Sequence, residues 1–259
     1  MLSGESAPSI LSKAFDLMRA FNTHKRVMTL TELSKASGLP KSTVHRLLAR
    51  LIELGAVEHH GAGYRIGLDV FQLGATTPAS AMRDAAMPHL AALHRWTGHT
   101  VHLGVLRQFD VVYLEKVARH SLSSDPSGVG ARLPANCTAI GKALLAHENL
   151  DDLTDFLPDP MPRMTPHSIT DVAALVAQLR RIRQGDLARE CEEARLGLSC
   201  LASPLVVRGF AVGAVSVAHP AATRLDPKTG TVLRDTAAQI VKEIRQELTD
   251  HARWFPREV

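Results

Sequence analysis

The stretch SGLPKSTVHRLLARLIELG, Ser37 to Gly55, decides the reading of this chain. Pro40 can open a helix at its first position, where the missing N–H would have had no partner, and Gly55 closes the run. Along that helix Val44, Leu47, Leu48 and Leu51 cluster within about 100° of the helical wheel and must point to a core. The opposite side therefore meets solvent. It displays Ser42, Arg46 and Ala49, flanked by Lys41, Thr43, His45 and Arg50, with Glu53 the one acid, at the far end. Donors set among short side chains permit close approach to a groove.

Upstream, Ile10, Ala14, Leu17, Met18 and Phe21 fall in one stripe of a first helix. A loop from His24 to Met28 leads to a short second helix, which Thr31 can cap and which turns Leu33 and Ala36 inward before Ser37-Gly38. Downstream, Ala56 to His60 and Tyr64 to Ile66 read as two strands around Gly61-Ala62-Gly63. Two helices joined by a glycine turn and followed by a hairpin make a winged helix-turn-helix over residues 1–75. His60, Tyr64 and Arg65 on the wing are candidates for phosphate contacts that set position.

The bulk numbers agree with a packed protein. Of 259 residues, 45% are hydrophobic and 22% charged, and residues 1–75 hold nine Lys and Arg against six Asp and Glu, so most of the net charge of +4 sits in the first third. That bias fits a polyanion partner. No run approaches the twenty or so apolar residues of a membrane span, and the first ten residues lack a secretory pattern, so a cytosolic protein is expected. Cys137, Cys191 and Cys200 form no CxxC pair and are expected as free thiols. No cofactor and no metal are expected, because His59-His60 and His99-x-x-His102 lack a completing ligand.

Leu30-Thr-Glu-Leu, Ser37-Gly-Leu-Pro-Lys-Ser-Thr-Val-His-Arg-Leu-Leu, Leu54-Gly and Tyr64-Arg-Ile-Gly together resemble the DNA-binding domain of IclR-type transcriptional regulators. The resemblance implies that Lys41 to Arg46 enter the major groove of an operator duplex. Arg46 and Ser42 would then meet base edges, and Lys41 and Arg50 phosphates.

Thr76 to Ala79 interrupts the pattern before a helical run to Trp96, kinked at Pro88; the family resemblance implies a linker helix over 76–96 that relays between domains, although an ordinary domain-edge helix would equally explain these residues. From 97 onward short β-like runs appear at Val101 to Leu106, Val111 to Val117, Leu201 to Val207 and Phe210 to Val217. Helical patterns fall at Ile140 to Ala146, Asp171 to Gln184 and Pro227 to Leu248, giving an α+β domain of GAF-like order over 97–259. Within it, Leu133 to Ala143 runs from an extended stretch into a helix with Ala139, Ile140 and Gly141 at its mouth. Unpaired amides there can hold a carboxylate, although tight packing on the sheet would equally explain the small residues.

Those residues, with Gly197-Leu-Ser-Cys200-Leu-Ala-Ser-Pro204 and Ala214-Val-Ser216-Val-Ala218, resemble the effector domain of the same family. The resemblance implies a pocket in which Ala139 and Ile140 offer amides, Ser216 a hydroxyl, Cys200 a wall, Glu190 a polar gate and Leu122 an apolar side. Glu190 stands where Asp is usual, Asp186 where an aromatic is usual, and Ala218 where Ser or Thr is frequent. The lost hydroxyl favours a ligand with fewer polar ends than a two-carbon acid.

The family implies a homodimer, with a tetramer as the alternative assembly, on a double-stranded operator of a metabolic or catabolic operon, answering to a small organic or aromatic acid. The competing reading is a thiol-dependent hydrolase using Cys200 or Cys137. No local hydrolase signature surrounds either cysteine, and the apolar run Leu198 to Leu201 predicts an inert, buried Cys200.

Overall fold

The computed structural model describes residues 9–21, 25–119, 127–150, 153 and 157–250, with side chains as far as residue 245. The chain divides into two compact units, Met1–Thr77 and Pro78–Val259.

In the first unit, α1 (Ile10–Arg19) is capped by the Ser9 hydroxyl, which accepts from Ser12 N–H. Helix α2 (Leu30–Ser37) is capped two residues before the expected position: Thr29, not Thr31, accepts from Glu32 N–H, and the Glu32 carboxylate accepts from Thr29 N–H at 2.9 Å. That reciprocal pair outcompetes a lone threonine because it satisfies two end groups at once. Lys25 Nζ, 2.8 Å from Glu32 Oε1, and the Thr29 N–H hold the Glu32 carboxyl down at about 2. Gly38 adopts φ +69°, which lets α2 end and the chain turn into α3 (Lys41–Glu53), with Pro40 as its N-cap.

Val44, Leu47, Leu48 and Leu51 bury with Leu17, Leu33, Met28 and Val57 into one core, as the wheel requires. Ile10 and Ala36, expected inward, lie exposed. The wing strands β1 (Val57–His60) and β2 (Gly63–Ile66) pair antiparallel around Gly61-Ala62, and Gly61 at φ +56° supplies the first loop residue of a type II′ turn. Met28, expected in a loop, bridges Tyr64 through two backbone bonds of 2.8 and 3.0 Å and so anchors the wing to the helices. A further helix, α4 (Leu68–Ala75), follows without having announced itself in the sequence, since it buries none of its residues and has no apolar stripe facing the core.

In the second unit, α5 (Pro78–Thr97) runs through Pro88 and buries Met82, Ala85, Ala86, Leu90 and Leu93. That face packs on the sheet and on the final helix, so residues 78–97 cluster with the C-terminal unit. A six-stranded antiparallel sheet has the order β5-β4-β3-β8-β7-β6. Its strands are β3 (Thr100–Arg107), β4 (Asp110–Val117), β5 (Arg132–Pro134), β6 (Ala188–Cys191), β7 (Leu198–Val207) and β8 (Phe210–Pro220). Helix α5 and the last helix, α8 (Thr229–Asp250), cover one face through Val101, Leu103, Leu201, Leu205, Val215 and Val217. The other face carries α6 (Ala139–Leu145), with α7 (Val172–Arg183) packed against it.

Candidate functional site

Helix α3 presents the polar face that its spacing demands. Lys41, Ser42, His45, Arg46, Ala49 and Arg50 are exposed and Thr43 is half-buried, while Leu47 and Leu48 on the reverse keep 4% and 1% of their surface. Pro40 gives the helix no side-chain cap, so its first-turn N–H groups retain their demand for an acceptor. Among the described residues Lys41 and Arg46 form no ion pair, whereas Arg50 is paired with Glu53 one turn on. On the wing, Arg65 reaches Glu58 with Nε at 3.0 Å and Nη2 at 2.8 Å, and Nη1 lies 3.3 Å from His60 Nδ1. The Leu68 N–H and then Arg65 hold the Glu58 carboxyl below the usual range. A phosphate seeking Arg65 has to compete with that carboxylate. Tyr64, whose ring lies 4.9 Å from that of His59 at a tilt of 39°, is fixed by its backbone bridge to Met28.

In the C-terminal unit the register assembles the other candidates. Thr100, Ala218, Cys200 and Glu190 lie opposite one another across β3, β8, β7 and β6, and His102, Ser216, Ala202 and Ala188 form the adjoining row. Both rows face α6, because Val101, Leu103, Val215, Val217 and Leu201 take the opposite side. Ser216, Ala218 and Glu190 are buried, and Cys200, expected to be buried, is half-buried. Ala139 and Ile140 are each 1% exposed, and their amides make no hydrogen bond among the described residues. At Gly141 packing is the decisive requirement: a Cβ there would stand 2.2 Å from the Ala135 carbonyl oxygen. Its N–H is taken by the Thr138 hydroxyl at 3.0 Å. Leu122 lies outside the described residues.

Glu190 has the most demanding environment. Oε1 accepts from the Glu193 and Ala194 N–H groups at 2.6 and 3.1 Å, Oε2 is buried without a hydrogen-bond partner, and the Cys200 thiol lies beside the carboxyl. Burial pushes this carboxyl above its ordinary value of 4.5. Below that value both folded and unfolded chains hold the proton and the group is neutral to stability. As pH rises, the unfolded chain ionises first, so stability falls through the interval up to the raised folded value and stays lower beyond it. Glu190→Gln keeps the acceptor and removes the titration. Its melting temperature is expected to exceed the wild type's by a margin that opens as pH rises above about 4.5; a margin independent of pH by scanning calorimetry would exclude this origin.

The same face holds residues that sequence reasoning passed over or misassigned. His102, considered only as a metal ligand, is a buried imidazole with Nε2 3.0 Å from Ser127 Oγ and its ring edge-on to Tyr113 at 5.2 Å. Strand alternation opposite Leu103 was the available signal. Lys142 is fully buried on α6 and donates to Glu193 Oε1 at 2.7 Å and Gln178 Oε1 at 3.2 Å, an arrangement no local pattern marks. A cleft of about 900 Å³ lies elsewhere than the face the sequence indicated, against the outward side of β6 and lined by Arg189, Cys191 and residues of α7 and α8. Cys137 is sealed: its thiol donates to the Pro162 carbonyl at 3.5 Å, and burial pushes it up from its ordinary value.

Comparison with known proteins bears on both faces. Residues 10–61 match the family model of the IclR helix-turn-helix domain, and residues 75–244 that of the bacterial transcriptional regulator IclR C-terminal region. The chain is 33% identical over 222 residues to the HTH-type transcriptional regulator KdgR of Escherichia coli, covering 83% of each protein. To the glycerol operon regulatory protein of Streptomyces griseus it is 30% identical, over 90% of this chain and 95% of that one. An IclR homolog of Microbacterium hydrocarbonoxydans crystallised with 4-hydroxybenzoate superposes with a TM-score of 0.83 at 25% identity, covering 92% of this chain and all of that one. No helix among the described residues is long and apolar enough to cross a membrane.

Proposed function

The chain belongs to the IclR family of bacterial transcriptional regulators, and from that premise we propose that α3 reads a near-palindromic operator while the sheet domain senses a small organic or aromatic acid. It is a ligand-responsive, DNA-binding regulator. The exposed cationic face of α3, backed by four buried aliphatic residues, is the observation that carries the reading. Ser42 and Arg46 reach base edges, Lys41 and Arg50 reach phosphates, and Thr43, His45, His60, Tyr64 and Arg65 hold the frame against the backbone. Two such helices in a homodimer match two half-sites.

Support for the homodimer comes from apolar surface on the first unit. Leu11 and Phe15 on α1 are 70% and 54% exposed, and Phe71 and Leu73 on α4 are 68% and 70% exposed. A second copy covering them removes that surface from water, at about 25 cal/mol per Å².

The effector sits over the two rows facing α6, its carboxylate toward the amides of Ala139 and Ile140, with Ser216, Cys200, Ala218 and Glu190 around its body. The resemblance to a 4-hydroxybenzoate complex supports an acid of that size. Binding shifts the spacing of the two reading helices through residues 76–96, which requires differential affinity for two states of about 1–3 kcal/mol. The protein works by binding in the cytosol and not by turnover; the sealed, proton-holding Cys137 supports this.

A gel-shift titration on the duplex upstream of the gene tests the reading. Binding is expected to weaken steeply with added salt, as release of counterions from the phosphates demands. Binding to that duplex no tighter than to a scrambled one of equal length would overturn the reading of α3 as the helix that recognises this operator.

A further inference from the structure

The cleft on the outward side of β6 serves none of the roles given so far. Its volume of about 900 Å³ falls in the range of small-molecule sites. Strand alternation separates it from the candidate effector face: Glu190 turns toward α6, whereas Arg189 and Cys191 line the cleft.

Three guanidinium groups reach it from three different elements, Arg181 from α7, Arg189 from β6 and Arg234 from α8. Among the described residues the Arg181 and Arg189 side chains have neither an ion pair nor a hydrogen bond, and Arg234 spends one donor on the Gly185 carbonyl at 2.9 Å. The acids nearby are less available. Glu193 is neutralised by Lys142 at 2.7 Å, and Asp226 accepts from the Lys228 N–H at 2.7 Å; Asp186 is the remaining carboxylate. The first turn of the 22-residue helix α8, at Gly230 and Thr231, also borders the cleft and adds its positive end. Guanidinium groups held without partners in a concavity are matched by an oxyanion, to which each can bind in bidentate fashion. Ile182, Leu187, Leu201 and Leu225 supply apolar walls for a carbon body.

We infer that this cleft is a second ligand site, distinct from the effector face, for a small, multiply charged organic oxyanion, either a phosphate ester or a polycarboxylate. Arg181 and Arg189 are its principal anion holders, and the apolar walls distinguish an organic body from the bare ion.

Isothermal titration of the full chain with glucose 6-phosphate, tricarballylate and inorganic phosphate, at matched ionic strength, tests this without using DNA or an effector. Saturable binding of one organic probe, at least tenfold tighter than inorganic phosphate, is expected, and which probe binds identifies the source. Arg181→Ala and Arg189→Ala are each expected to weaken it tenfold or more. Both side chains are exposed, so the variants should keep the wild-type melting temperature, and Arg107→Ala, an exposed cation on another strand, should leave binding unchanged. Absence of saturation by either organic probe at 10 mM, indifference to both cleft variants, or equal loss in Arg107→Ala would each overturn the assignment. The regulator reading would stand in every one of those cases, because its own test is the duplex titration.

Discussion

Lys142→Met is expected to destabilise the C-terminal unit by about 3–5 kcal/mol, the cost of leaving a buried charge without its partner. Lys142 is 0% exposed, and its ammonium meets Glu193 Oε1 at 2.7 Å. Removing the ammonium strands a carboxylate that already has one oxygen, Oε2, without a hydrogen bond. The pair contributes little net stability when intact, because burying two ions costs nearly as much as their attraction returns. The informative comparison is therefore the double variant Lys142→Met with Glu193→Leu, expected to recover most of the loss. Urea denaturation followed by circular dichroism reads both. A single variant within about 1 kcal/mol of wild type, or a double variant less stable than the single, would show that the charges are not coupled as the geometry states.

The second large effect lies on the other unit. Arg46→Ala should cost about 1–3 kcal/mol in operator binding, some five- to 150-fold, and should relax preference at one base position. Lys41→Ala should weaken operator and scrambled duplex alike and flatten the salt dependence by about one unit of slope. The difference rests on placement: Lys41 opens α3, while Arg46 sits near the middle of its exposed face. Quantitative titration of both variants against both duplexes separates them, and equal losses on every duplex would remove the base-reading role from Arg46.

The helix-turn-helix was legible because each of its parts leaves a local mark. Val44, Leu47, Leu48 and Leu51 recur at helical spacing, and all four are buried. The long strands β3, β4, β7 and β8 were legible for the same reason. What escaped depends on contacts distant in sequence. Strand β6 is four residues long and alternates Ala188, Arg189, Glu190 and Cys191, too short and too polar to stand out until β7 lies beside it. The Lys142–Glu193 pair spans 51 positions, and His102 meets Ser127 across 25. Gly141 was ambiguous between cradle and packing, and only the 2.2 Å approach to Ala135 shows how tightly packing constrains it. Thr31 carries the same hydroxyl as Thr29, and Glu32 three residues after Thr29 is the mark that makes Thr29 the cap.

The pairing of β3 with β8 carries a consequence for how the protein is made. Val101 lies opposite Val217, so the middle of the sheet joins segments more than a hundred residues apart. While the ribosome is still adding residues 120 to 200, β3 has an open margin and α5 lacks the final helix, on which its apolar face also packs. The first unit, complete by Thr77, faces no such wait. A nascent chain can therefore present a finished reading head while its sensor remains unclosed, and chaperone demand should concentrate on that interval of synthesis.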